Sequence, residues 1–386
     1  MKRLTSFAVC LTALLLISTA CTAKDAVGSE AGQILEQYRS LGAHRSGTET
    51  DLATAQWLHG ELRVRGVNAE LQQWPLRVFD LVGSSIQTDD ATLDAFPFWY
   101  PVATGSSGIQ GALVDVTAGW NSKVDNPVAF YRLPPGQFEF HFDIAPLAST
   151  WAEQGAEAAV VVLDHPIKAV SAQNANKPHH QQALPLPVVI ASESDAEKLQ
   201  ELAAKQSPVK VIIDGTSRDG TARNVLGWLD RNAARWLVIS TPISGWFEVT
   251  NERGPGIALW LELARWAAEE DIRANVLFAG LSGHELGKMG MDALVASGRL
   301  PKPPEVCLWL HLGSGIAVKT PLLAAVSSAA ELEEATRTTL VDHTSMAYWP
   351  EQKMPKGSEQ YGALQLGYPV VGLFGGGPAI HTRLDQ

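Results

Sequence analysis

Apolar and polar positions change rhythm twice along this chain. Between Thr50 and Arg65, Leu52, Ala55, Leu58 and Leu62 recur at helical spacing, and Gly66 follows as a stop. Val67 to Leu76 then reads as a strand. From about Asp80 to Thr216, short apolar runs such as Gly111–Val116 and Ala158–Leu163 alternate with Gly, Pro and Asn-rich turns, the texture of a small β-rich unit. Within it, Ser194 and Glu197 have the spacing of a capping box, which predicts a helix opening there before Val209–Ile213. Beyond Asn224 the pattern becomes strand–helix alternation. Strands are expected at Val225–Leu229, Trp236–Ser240, Asn275–Ala279, Val306–Leu312, Leu322–Val326 and Pro369–Phe374. Helices are expected at Ile257–Ala268, Leu286–Ala296 and Ala330–Leu340. The first is apolar on nearly every side (Ile257, Leu259, Trp260, Leu261, Leu263, Trp266), which suits a sandwiched helix rather than an amphipathic one. This alternation predicts an α/β fold, with a mostly parallel, mixed sheet between helices. In such sheets sites gather at the carboxyl ends of the strands.

Composition narrows the class. With 46% hydrophobic and 18% charged residues over 386, the chain has enough apolar surface for a sizeable core and is no disordered tail. Its net charge of −11 argues against a nucleic-acid partner held by phosphate neutralisation. The N-terminus reads as an export signal over residues 1–20: Lys2 and Arg3, an apolar run from Leu4 to Ala20, then small residues. Cys21 directly after them is a candidate for lipid acylation, although Ser18 stands where that motif prefers Leu. Ordinary cleavage near Ala20 or Ala23 is the alternative. Both place the protein outside the cytoplasm, in the cell envelope as a lipoprotein or in the periplasm. Membrane contact is then expected only through a lipid anchor. Loss of Lys2 and Arg3 deepens the charge to −13. Cys307, in the apolar run Val306–Leu310, reads as a small core hydrophobe.

The strand-end rule selects four places: Ser240–Gly245, Ser282–Glu285, His311–Gly313 and the tail around His381. Glu285 follows a strand and opens a helix, which either projects its carboxylate into the crevice or simply satisfies free helix N–H groups. Other patterns fail. Lys288 stands where a helical zinc motif starting at His284 needs its second His, and no phosphate-binding loop occurs. His179, His180 and His343 lie in polar turns and read as solvated.

Taken together, the pieces resemble metallopeptidase family twenty-eight, the aminopeptidase Y-like zinc exopeptidases with an inserted protease-associated domain. The likeness is carried by Gly42–Thr48, by Gly155–Val161 and Leu186–Val189 in the insertion, and by Glu262–Arg265. It continues through Ser282-Gly283-His284-Glu285-Leu286-Gly287, Gly357-Ser358-Glu359 with Gly367-Tyr368-Pro369, and the final His381-Thr382. It implies a signal at 1–20, a linker at 21–30, a peptidase-like domain at 31–79 and 217–386, and a protease-associated-like insertion at 80–216.

Members of that family usually hold two zinc ions on a bridging Asp. By resemblance, Glu252 takes the bridging position, and Glu285 and His381 complete one metal's set. The second metal's own ligands fall on Pro242 and Gly313, which cannot ligate through side chains, and the general base falls on His284. The resemblance therefore implies one zinc ion on Glu252, Glu285 and His381, with one position left open as in catalytic sites. His284 would be the catalytic base, because imidazole titrates near neutrality. His311, two residues before Gly313 and on the same strand face, is either a replacement ligand or a packed histidine. The implied function is a single-metal aminopeptidase-type hydrolase acting at a peptide or protein N-terminus. The alternatives are a peptide-binding pseudo-peptidase without turnover and a single-zinc cyclase-type relative. A purely structural envelope protein fits least, since the crevice-forming segments are all present.

Overall fold

A computed structural model describes residues 26–386, apart from 121–122, 138, 140, 176–180, 318–319, 321, 342–343 and 345. The export signal, Cys21, His179, His180 and His343 lie outside the described residues. The chain opens with helices α1 (Ala26–Ser40) and α2 (Glu49–Val64). Strands β1 (Asn68–Gln87), β2 (Thr92–Pro97), β3 (Gly105–Asp115) and β4 (Pro127–Arg132) follow. Next come α3 (Ala145–Glu153), β5 (Ala158–Val162), β6 (Val188–Ala191), α4 (Ala196–Ala204) and β7 (Pro208–Leu229). The remainder alternates: β8 (Trp236–Pro242), α5 (Thr250–Glu269), β9 (Asn275–Leu281), α6 (Met289–Ala296) and β10 (Val306–Leu312). It ends with β11 (Leu322–Ser327), α7 (Ala330–Thr336), β12 (Ala347–Trp349), α8 (Glu359–Gln365) and β13 (Val370–Gly376).

The centre is a parallel run, β9–β8–β10–β13, with β7 antiparallel to β9 on one side and β11 antiparallel to β13 on the other. Every residue of β8 except Trp236, and every residue of β9 and β10, is buried. Strands covered on both faces read as continuous apolar runs, and these do. Helix α5 carries Ile257, Trp260, Leu261 and Ala264 buried in the core and packs between the sheet and α1. The fold is the mixed α/β architecture with flanking helices that the alternation implies.

The β-rich region is built on two strands of unusual length. β1 and β7 pair antiparallel from Asn68↔Trp228 to Gln87↔Lys210, with a bulge between Leu81 and Gly83. One end of this ribbon joins the central sheet through β9. At the other end, pairings run β1–β2–β6–β5–β4–β3–β7 and return to β1, closing a barrel. Positions 80 and 216 therefore fall inside continuous strands.

Three local expectations are corrected. The capping role belongs to Ser192, whose extended backbone lets its Oγ accept from Ser194 N–H at 3.1 Å; the turn at Glu193–Asp195 then leads into α4 at Ala196. The helix expected over Ala330–Leu340 is α-helical only to Thr336 and widens to a π-turn at Arg337–Val341. Helix α5 starts seven residues earlier than its apolar pattern suggests, with Pro255 inside it, and so takes in Glu252 and Arg253.

Candidate functional site

The carboxyl ends of β8, β9, β10 and β13 surround one cavity of about 580 Å³. Pro242, Glu252, His284, His311, Gly313 and His381 all line it, so all four predicted places converge. Leu322, Phe374 and Ile380 add apolar wall, and Glu139, His141 and Asn174 reach in from the barrel side. Glu285 is not among the lining residues and lies buried at 3% exposure beside Glu252.

Each element is aimed by backbone geometry. Gly283 and Gly287 adopt positive φ (83° and 75°) on either side of the short 3-10 turn His284–Leu286, which sets the direction of Glu285. Val249, at the N-terminus of α5, Lys288, at that of α6, and His381 also have positive φ (47°, 66° and 61°) although they are not glycine. Such backbones are costly and persist where surrounding contacts hold them. His381 is held by the barrel segment: its carbonyl accepts from Ala172 N–H at 2.8 Å, and its Nδ1 lies 3.2 Å from the Ala172 carbonyl. Ser171 bridges to Thr382, Ala175 N–H donates to the Glu285 carbonyl at 2.8 Å, and Trp246 Nε1 donates to Asn174 Oδ1 at 3.0 Å. The α5 N-terminus, with no side-chain cap of its own, is closed by Asp385, which accepts from Asn251 N–H at 2.8 Å and Glu252 N–H at 3.1 Å. Burial and the nearby Glu252 charge push Asp385 up to about 6.

Beneath the cavity the side chains fall into two groups. In the first, Arg253 Nη2 lies 2.9 Å from Glu252 Oε1 and 2.7 Å from Glu285 Oε1. Arg253 Nε donates to the Ser244 carbonyl at 2.8 Å, and Ser244 Oγ donates to Glu285 Oε2 at 2.6 Å. Arg253 itself is 1% exposed, and its Nη1 has no hydrogen-bond partner among the described residues. His381 Nε2 approaches Glu252 Oε1 at 3.5 Å. Burial alone would raise Glu252, but Arg253 and then His381 outweigh it and hold this carboxyl at about 2. Burial pulls Arg253 down, and the two carboxylates more than offset it, so its guanidinium is held above its ordinary range.

The second group hangs on Glu359, buried at the first turn of α8 behind the Ser358 cap. Its oxygens lie 2.9 and 3.0 Å from His284 Nδ1, and Oε2 lies 3.6 Å from His311 Nε2. His311 Nδ1 contacts Ser240 Oγ at 2.9 Å, and that hydroxyl accepts from Trp309 Nε1 at 2.7 Å. Burial would raise Glu359, yet the neighbouring His284 and His311 keep it far below the usual carboxylate range. Burial lowers His311 and His141 to about 4 each. His311 is thus a packed histidine inside a hydrogen-bonded chain.

The structure puts Glu252, His284 and His381 on the cavity wall and Glu285 behind it. Ser244 falls within a predicted strand end and Glu359 within a quoted motif, neither singled out as a site residue, while Arg253 and Asp385 had no place in the sequence reading. The signal for Arg253 was its position beside Glu252. The glycines and proline after it hid the helix start.

No sequence-family profile matches the chain, and no curated protein does. Solved structures do. BSAP, a zinc aminopeptidase from Bacillus subtilis, matches at TM-score 0.75 and 15% identity, covering 93% of this chain and 89% of that one. This chain has the zinc-aminopeptidase fold. A family-twenty-eight peptidase precursor from Shewanella amazonensis matches at TM-score 0.74 and 15% identity, with 96% and 91% covered. An aminopeptidase from Aneurinibacillus matches at TM-score 0.67 and 17% identity, with 95% and 89% covered.

On this aminopeptidase fold a zinc ion would need Glu252, Glu285 and His381 at about 2 Å from one point. The donor chemistry is right, but the arrangement does not fit. The space between the two carboxylates is taken by Arg253 Nη2. A guanidinium is always protonated and cannot yield that place by losing charge. Among the described residues, no group of three or more His, Cys, Asp or Glu side chains is placed to hold a metal ion.

Proposed function

We propose that the cavity binds the free N-terminus of a peptide and that it does so without a metal. The carrying observation is the balance of buried charge. Glu252, Glu285 and Glu359 are all buried, and among the described residues Arg253 is the one permanent cation paired with any of them. An acid surplus in a low-dielectric pocket attracts an ammonium group. Glu252 lines the cavity with the histidines around it, while Leu322, Phe374 and Ile380 suit an apolar side chain. The resemblance of the fold to zinc aminopeptidases supports a peptide as ligand.

The test is calorimetry with a short apolar peptide and its N-acetylated form at neutral pH. The free-amine peptide should bind at least about tenfold more tightly, which is about 1.4 kcal/mol. Equal binding of the two forms would overturn the reading.

One observation favours a second reading, a peptidase-type hydrolase. His284 lies at the cavity wall with its Nδ1 on Glu359, the arrangement of an oriented general base. Turnover of aminoacyl amides that disappears in Glu359→Gln would establish it. Turnover that instead requires added zinc and is lost in Glu285→Ala would return the single-zinc mechanism.

We infer an extracytoplasmic site of action from the sequence of residues 1–21. Among the described residues no helix is long and apolar enough to cross a membrane, which suits attachment through Cys21 or none. Palmitate labelling that is absent from the wild type, or that persists in Cys21→Ser, would overturn acylation at Cys21.

A further inference from the structure

We infer that Arg253 is a built-in cation that stands in for a divalent ion, and that its removal turns the floor of this cavity into a metal site. The inference rests on the metal-free floor described above and is independent of what the cavity binds.

The geometry carries it. Glu252 and Glu285 are both nearly inaccessible, at 1% and 3% exposure, and both send Oε1 to the same nitrogen of Arg253. Two buried carboxylates facing one point need a positive charge there, because each unpaired ion in the interior is strongly unfavourable. His381 Nε2 stands 3.5 Å from Glu252 Oε1 and supplies a nitrogen donor to the same neighbourhood. Two carboxylates and an imidazole are donor types that suit zinc, and with Arg253 between the carboxylates they do not close on one point. Arg253 reaches this set from the residue next to Glu252 on α5, and its Nε is fixed on the Ser244 carbonyl. Ser244 also holds the outer oxygen of Glu285. When Arg253 is shortened, Glu285 Oε2 keeps the Ser244 hydroxyl and Glu252 Oε2 keeps the His381 N–H at 3.4 Å, so each carboxylate retains a partner that orients it.

The experiment compares the wild type with Arg253→Ala and Arg253→Lys after dialysis against zinc at pH 7.5, by elemental analysis and calorimetry. Arg253→Ala should retain about one zinc per chain, at least about tenfold more than wild type. Arg253→Lys keeps a positive charge and should stay without zinc. Adding Glu285→Gln to Arg253→Ala should abolish the gain. If Arg253→Ala is recovered unfolded, refolding in the presence of zinc should restore its near-ultraviolet circular dichroism, and failure of zinc to do so would overturn the inference. It would equally be overturned by a folded Arg253→Ala that takes no zinc, its carboxylates having protonated instead. Stoichiometric zinc in the wild type would overturn it as well. Each outcome is read without any peptide, so loss of peptide binding and loss of this inference are separable.

Discussion

The two halves of the cavity floor solve one problem, a buried carboxylate, in opposite ways. Around Glu252 and Glu285 the counter-charge is Arg253, fully buried and permanently protonated. Around Glu359 the neighbours are the rings of His284 and His311, which carry no permanent charge. The first half keeps its cation at every accessible pH.

The largest effect should come from removing that cation. Arg253→Met removes the shared partner of two buried carboxylates and should lower stability by about 3–5 kcal/mol, read by urea unfolding at pH 7. A loss under about 1 kcal/mol would mean that the carboxylates do not depend on it. Glu359→Gln should cost less, about 1.5–3 kcal/mol, since it removes hydrogen bonds to a charged group and leaves neutral partners. If Glu359→Gln proves the costlier change, the contrast between the halves is reversed.

The acid limb sharpens the same contrast. Glu252 falls from an ordinary 4.5 to about 2 on folding, so its stabilisation is present above 4.5 and disappears as pH drops toward 2. Glu359 is depressed too and adds to the loss in the same direction. Glu252→Gln should therefore flatten the decline in stability between about pH 4.5 and pH 2, and an unchanged slope would count against the pairing.

Asp385 gives the smallest and opposite effect. It rises from 3.8 to about 6, so the protonated form is favoured in the folded state and stability falls as pH rises between those values. Asp385→Asn should remove that segment of the pH profile while changing stability at pH 5 by about 1 kcal/mol or less.

How much of this was legible in the sequence follows from burial. The central strands are covered on both faces, so their apolar runs mark them within a residue or two. The ribbon of β1 and β7 was read as separate short strands, because its middle is partly exposed and mixes polar residues with apolar ones. Helix α5 was legible from Ile257 onward, where side chains fill the core. Its first turns were not, because Gly254, Pro255 and Gly256 read as breakers. The site was legible as a gathering of Glu252, Glu285 and His381 through resemblance. What lies between them was not, since an Arg beside a Glu at a helix start ordinarily reads as a solvated pair. Only the packing puts that charge in the interior.

The ribbon has a mechanical consequence. Its two strands are wall of the barrel at one end and edge of the sheet at the other, so it is a beam shared by both bodies. Neither body can lose its strands without cutting the other's hydrogen bonds. Denaturant should therefore melt barrel and sheet in one step, seen as coincident curves from tryptophan fluorescence and far-ultraviolet circular dichroism. A load placed on the barrel would likewise arrive, through Ser171–Ala175, at the backbone of His381 and Glu285.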